Sequence, residues 1–208
     1  MNRFGIVLAA VLLAASVTGC AEQGNQNSVT TSAQTTGEAP SGELKVNAEE
    51  GFDEDYIPVL KSYFTAIEKQ DYEAYKATVY PPFFEKLTEY YKQQSPAKTM
   101  EEVFAGLHKQ FDEDGYDGWT LTNLVLSYYK NKQGVSSEND ASDFLEAFKK
   151  GGMIDDKFIE ETKKAAKDMK NVRFSVYALY TGDEEAVPAI NGREILVLKT
   201  DDGTFLFG

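Results

Sequence analysis

The chemistry open to this chain is narrowed by its scarcity of reactive side chains: one cysteine, Cys20, and one histidine, His108, in 208 residues. A lone histidine removes the commonest general base and the usual nitrogen-rich zinc site, which draws on several imidazoles. His108 follows Leu107 and stands three residues before Phe111 in a segment of helical spacing, so it reads as the edge of a packed helix rather than as a base. Carboxylates are abundant, and Asp112-Glu113-Asp114-Gly115-Tyr116-Asp117-Gly118 has the composition of a calcium loop. It fails the EF-hand register: starting at Asp112 puts Asp117 where Gly is required, and starting at Glu113 puts Leu124 where the bidentate Glu belongs. The segment therefore reads as a solvated loop between a helix and a strand. Asp53-Glu54-Asp55 and Asp183-Glu184-Glu185 read as a helix start and a turn. No catalytic residue, metal ligand or cofactor-binding residue is assigned. Tyr80-Pro81-Pro82-Phe83-Phe84 has the look of a proline-rich ligand, yet it falls where two amphipathic helices need a break. Most Tyr and Phe recur at core spacing. Trp119, at a strand start behind the acidic loop, is the aromatic least easily assigned to a core.

The one reactive group with a clear assignment is the Cys20 thiol. Before it, Arg3 supplies a small positive region and residues 4–17 form an almost unbroken apolar run. That run suits an export signal, whose core needs roughly 7–15 residues, better than a bilayer span of ~20. Val17-Thr18-Gly19-Cys20 resembles the lipobox of bacterial lipoproteins, an aliphatic residue and two small ones ahead of the cysteine that receives diacylglycerol. The resemblance covers residues 1–20. It implies a signal peptide over 1–19, removed on export, and lipid attachment at Cys20. Two acyl chains, at about 0.8 kcal/mol per buried methylene, would hold the protein on the membrane. An ordinary secretory signal would leave an unpaired thiol in an exported protein without explanation.

With the thiol consumed, the rest of the chain has no disulfide, thiolate metal site or cysteine nucleophile, and no cofactor is expected. The formal charge is −13. Such a surface repels nucleic acid and anionic headgroups, keeps a tethered domain soluble, and steers toward cationic partners. Residues 21–47 are dominated by Gln, Asn, Ser, Thr, Gly and Ala, cannot build a core, and read as a flexible tether. The domain organisation is thus 1–19 signal peptide, 20–47 lipidated cysteine and tether, and 48–208 a single domain.

Within that domain the helical periods come first. Asp53 caps a segment carrying Tyr56, Leu60, Phe64 and Ile67, with Pro58 in its first turn, and Asp71 opens a second carrying Tyr72, Tyr75 and Val79. Pro81-Pro82 ends it and starts a third with Phe83, Leu87, Tyr90 and Tyr91. Thr99 and Glu102 form a capping-box pattern for a fourth with Met100, Val103, Phe104, Leu107 and Phe111. Residues 119–130 read as a strand, 140–150 and 155–170 as helices, 172–180 and 193–200 as strands, and Asp202-Gly203 as the turn of a terminal hairpin. Helices first and antiparallel strands later make an α+β domain.

Two stretches, Tyr63-Phe64-Thr65-Ala66-Ile67-Glu68-Lys69-Gln70-Asp71-Tyr72 and Leu198-Lys199-Thr200-Asp201-Asp202-Gly203-Thr204-Phe205, resemble the opening helix pair and closing hairpin of the NTF2-like superfamily. The resemblance implies N-terminal helices packed across a curved antiparallel sheet to form a cone with a pocket. A cystatin-like fold is the alternative. The function expected is a noncatalytic, extracytoplasmic lipoprotein, anchored through its lipid, that binds a small molecule or another envelope protein and no nucleic acid. The alternative is a pocket enzyme using carboxylate and tyrosine acid–base chemistry. Replacing Cys20 with Ala is expected to abolish incorporation of labelled fatty acid and release the protein from membranes. Unchanged processing and membrane partitioning would refute lipid attachment.

Overall fold

A computed structural model of the protein describes residues 43–130 and 139–207. Cys20, the apolar run before it and the segment through residue 42 lie outside the described residues, as do 131–138. Among the described residues no helix is long and apolar enough to cross a membrane. The described residues form an α+β architecture with six α-helices and an open five-stranded sheet.

Short polar caps and prolines set the helix boundaries. The Asp53 carboxylate accepts from the Asp55 N–H at a 3-10 turn, Glu54–Tyr56, that leads into α1, Ile57–Glu68. Helix α1 buries Leu60, Tyr63, Phe64 and Ile67, the spacing that puts one stripe against the sheet. Gln70 turns left-handed at φ 53. Asp71 then caps α2, Tyr72–Thr78, by accepting from the Ala74 N–H. Pro81 and Pro82 occupy the first turn of α3, Pro81–Gln94, where their missing N–H groups cost nothing. Both halves of the Thr99/Glu102 capping box are formed at the start of α4, Met100–His108, and a 3-10 turn, Lys109–Phe111, follows it.

The five strands are β1 Lys45–Ala48, β2 Trp119–Tyr128, β3 Asp168–Tyr180, β4 Val187–Lys199 and β5 Thr204–Phe207, and they lie in that order across the sheet. Helices α5, Asn139–Lys150, and α6, Asp156–Ala165, come between β2 and β3. On β3, Val172, Phe174, Val176, Ala178 and Tyr180 are buried. Phe64 of α1 meets Phe174 with ring centroids 5.0 Å apart. The opposite face is covered near β5, where Phe207 lies 4.6 Å from Phe83 of α3 and 6.3 Å from Phe158 of α6, and Phe83 lies 5.1 Å from Phe148 of α5. Two aromatic layers therefore sandwich this part of the sheet, and Ile195, Leu196, Val197 and Leu198 are consecutively buried on β4. The break between α2 and α3 is tied to the same strand, because the Tyr80 N–H donates to the Leu206 carbonyl at 2.9 Å.

Three boundaries and one strand orientation differ from the sequence expectation. Leu44 is buried and Lys45–Ala48 pairs with β2, so folded structure begins inside the segment expected to be tether and ahead of residue 48. That pairing is parallel, which makes the sheet mixed rather than wholly antiparallel. Helix α6 stops at Ala165 instead of running to residue 170. Lys167 N–H already donates to the Lys199 carbonyl, and Met169 pairs with Leu198, so cross-strand bonding overrides helical propensity there. Strand β4 begins at Val187, six positions ahead of Arg193. Pro188 is tolerated there because β5 pairs with residues 196–199 and leaves that stretch of β4 on the sheet's edge.

Truncating Phe207 to Ala removes the ring on which α3 and α6 converge. The expected loss is about 3–5 kcal/mol in a urea unfolding experiment, the range for deleting a buried Phe.

Candidate functional site

The sheet brings two acidic segments, distant in sequence, to one end. Trp119 and Tyr180 are partners across β2 and β3. The Thr181 N–H donates to the Gly118 carbonyl at 2.9 Å, and the Thr181 hydroxyl donates to the same oxygen at 3.2 Å. Residues 112–118 and the turn after β3 are thereby held side by side. Asp112, Glu113, Asp114, Asp117, Asp183, Glu184 and Glu185 are all exposed there. Among the described residues only Asp112 of this set approaches a basic side chain, with Oδ1 4.0 Å from His108 Nδ1.

An aromatic floor underlies these carboxylates. Trp119 lies 4.8 Å from Phe111 and 4.5 Å from His108 by ring centroids, and its Nε1–H donates to Asp112 Oδ1 at 3.0 Å. Tyr116 packs 4.9 Å from Tyr180, and its hydroxyl donates to Asp183 Oδ1 at 3.4 Å. Burial, then the charges of Glu113 and Asp112, push the Tyr180 phenol above its ordinary pKa. The Tyr116 phenol is raised by its hydrogen bond to Asp183 and by that carboxylate's charge. The rim thus combines an uncompensated negative field with aromatic faces, a combination that attracts cations. His108 ends α4 half-buried on this floor, at the edge of the packed helix where its spacing places it.

The interior offers little room on this side of the sheet. The cavity between α1, the turn after α4 and the sheet is lined by Tyr63, Phe64, Ile67, Phe111 and Phe174, with Gln110 beside them, and holds about 10 Å³. That is space for at most one water, and the lining is almost wholly apolar. Among the described residues no group of three or more His, Cys, Asp or Glu comes together to hold a metal ion.

One carboxylate–tyrosine pair does form. The hydroxyl of fully buried Tyr56 donates to the Asp168 carboxylate, and Lys170 Nζ lies 3.2 Å from the same residue. Nearby, the Tyr128 hydroxyl accepts from the Asp53 N–H at 2.9 Å while its ring stacks on Phe52. Partial burial opposes ionisation of Asp168, but hydrogen bonds from Tyr56 and Lys170 outweigh it and hold the carboxyl below its usual value. Burial and then the bond to Asp168 push the Tyr56 phenol far above its usual value. At neutral pH the acid is ionised and the phenol neutral, so neither group is poised to exchange a proton. The pair works as a latch between the entry to α1 and the first residue of β3.

The sequence singled out Trp119, but its two acidic segments read as a solvated loop and a turn, with no sign that they meet. Tyr56 was recognisable as a core position, but its partner was hidden because Asp168 falls in the stretch read as helix. Alternation of Asp168, Lys170 and Val172 was the available signal. No protein-family model matches the sequence, and neither a curated protein nor a solved structure matches it.

Tyr56→Phe is expected to cost about 1–2 kcal/mol at pH 7, since it removes a hydrogen bond to a charged group. Because Asp168 is depressed in the folded state, its contribution is present above the unfolded carboxylate pKa and fades as pH falls through the lower, folded value. The gap between wild type and variant in urea should therefore narrow at about pH 3 relative to pH 7. A gap independent of pH would exclude an ionised Asp168 as the partner.

Proposed function

We propose that this chain is an extracytoplasmic lipoprotein, held to a membrane by lipid on Cys20, whose NTF2-like domain binds a cationic surface of another envelope protein and catalyses nothing. The observation that carries the binding reading is the convergence of residues 112–118 and 183–185 over Trp119, Tyr116 and Tyr180. Carboxylates with no basic partner repel one another, and a ligand that brings positive charge relieves that repulsion. Aromatic faces beneath them add contact area that a lysine or arginine side chain can cover. Lipid attachment and the cone-like fold rest on the two sequence resemblances, and an α+β architecture is compatible with the second. An enzyme reading has less support, because the interior cavity at α1 is water-sized and the Tyr56–Asp168 pair has its protonation states fixed the wrong way for acid–base work.

Trp119 is the only tryptophan in the chain and reports directly on the rim. Titration with a short lysine-rich peptide is expected to change its emission, with affinity falling several-fold between ~50 and ~200 mM salt. Asp112→Asn with Asp183→Asn should weaken binding, whereas Glu160→Gln with Glu161→Gln on α6 should not. Equal effects from both pairs would reduce the interaction to nonspecific attraction by net charge and sink the proposal.

A further inference from the structure

Histidine is the side chain whose charge ordinarily changes between about pH 5 and 8, and this chain has one, His108. It stands at the C-terminal end of α4 and is held from three sides. Its ring lies against Trp119 of β2, with centroids 4.5 Å apart and planes inclined by 40°. Nδ1 lies 4.0 Å from Asp112 Oδ1, and Nε2 lies 3.5 Å from Gln70 Nε2 in the turn between α1 and α2. The side chain is 21% exposed, so solvent protons reach a ring whose place is fixed by packing.

The elements packed against the ring bring few charges to it. The turn after α4 supplies Asp112, and Lys109 follows His108 directly. Helix α1 ends in Glu68, whose Oε1 is occupied by the Leu121 N–H at 2.8 Å. The turn between α1 and α2 carries Lys69 and Asp71 on either side of Gln70, and Asp71 is engaged as the cap of α2. Strand β2 contributes Trp119 and has no charged side chain. Among the described residues, Asp112 is the carboxylate within 4.0 Å of the imidazole. Its Oδ1 already accepts from Trp119 Nε1–H at 3.0 Å, so one carboxylate oxygen faces both the indole and the imidazole. The rim phenols stay neutral near neutral pH, since the bond to Asp183 raises Tyr116 and burial raises Tyr180.

We propose that His108 is a proton-operated counter-ion of the acidic rim, which lowers the rim's affinity for a cationic partner as the surroundings acidify. The inference rests on the cation-binding reading of the rim. A neutral ring leaves Asp112 to add its charge to those of Glu113, Asp114 and Asp183. Once the ring takes up a proton, it faces Asp112 Oδ1 as an opposite charge, and that carboxylate attracts an external cation less. The same positive charge is set against Trp119, whose face a lysine or arginine of the partner would otherwise cover. Both effects act in one direction: acid weakens binding and a neutral or alkaline medium strengthens it. The pair is partly open to solvent, which keeps the effect modest.

With one histidine and one tryptophan in the sequence, the untagged full chain gives a single imidazole Cε1–H signal by NMR and a single indole emission beside it. The probe is the short lysine-rich peptide, whose own charge is constant over the range, titrated at about pH 5.5 and about pH 8. The imidazole signal is expected to move between these limits, and Trp119 emission without peptide to fall as the ring charges. The peptide should bind about two- to fivefold more weakly at the lower pH, the scale of one partly exposed ion pair. His108→Gln takes up no proton and His108→Lys carries the charge throughout, so each should bind equally at the two pH values. The Lys variant should bind more weakly than the Gln variant, with far-UV circular dichroism checking the fold of both. Equal binding by wild type at the two pH values, a pH dependence that persists in His108→Gln, or an unmoved imidazole signal would overturn the inference. Absence of peptide binding at both pH values would sink the reading of the rim itself and this inference with it, an outcome distinct from binding that ignores pH.

Discussion

Strand β3 is the constraint on which the rest of the structure depends. It is hydrogen-bonded to β2 on one side and to β4 on the other over most of its 13 residues. Its buried face receives α1 through Phe174 and Phe64. Three polar arrangements are stations along this one strand. Asp168 at its start latches the entry to α1, Arg173 in its middle lies over Gly192, and Tyr180 at its end supports the acidic rim. Their relative positions are consequently set by backbone pairing rather than by loops, and a register slip would scatter all three at once.

Much of this was legible because local rules and the fold agree. Asp53, Asp71 and the Thr99/Glu102 pair sit where their side chains satisfy unpaired helix N–H groups, and Pro81-Pro82 falls at a helix start. Alternation from Val172 to Tyr180 marked the buried face of β3. Failures came where distant parts of the chain decide the outcome. Lys45–Ala48 carries only one sizeable apolar side chain, Val46, and gains its strand geometry from pairing with residues 123–126, about eighty positions away. Residues 168–170 carry helix-tolerant side chains and are extended only because β4 lies alongside. The bond from Asn171 to Glu194 and the bulge that places Gly192 beside Arg173 are likewise not visible to periodicity.

The division between interior and surface is sharp. Large aromatics fill both layers, so the space between α1 and the sheet is taken by side chains and the polar chemistry is pushed outward. Among the described residues, the exposed carboxylates at one end of the sheet have no lysine or arginine partner, whereas carboxylates elsewhere, such as Glu49 and Asp55, pair with lysines.

Strand β1 has a further consequence. Because it runs parallel to β2, with Lys45 beside Asn123 and Ala48 beside Leu126, its first residue points back toward Trp119. The polypeptide therefore enters the sheet from the same pole that carries the carboxylates. Glu43, ion-paired with Lys61 of α1, and buried Leu44 stand ahead of the four ladder pairs that join β1 to β2. The edge strand is thus fastened at its entry by side-chain contacts and along its length by backbone pairing.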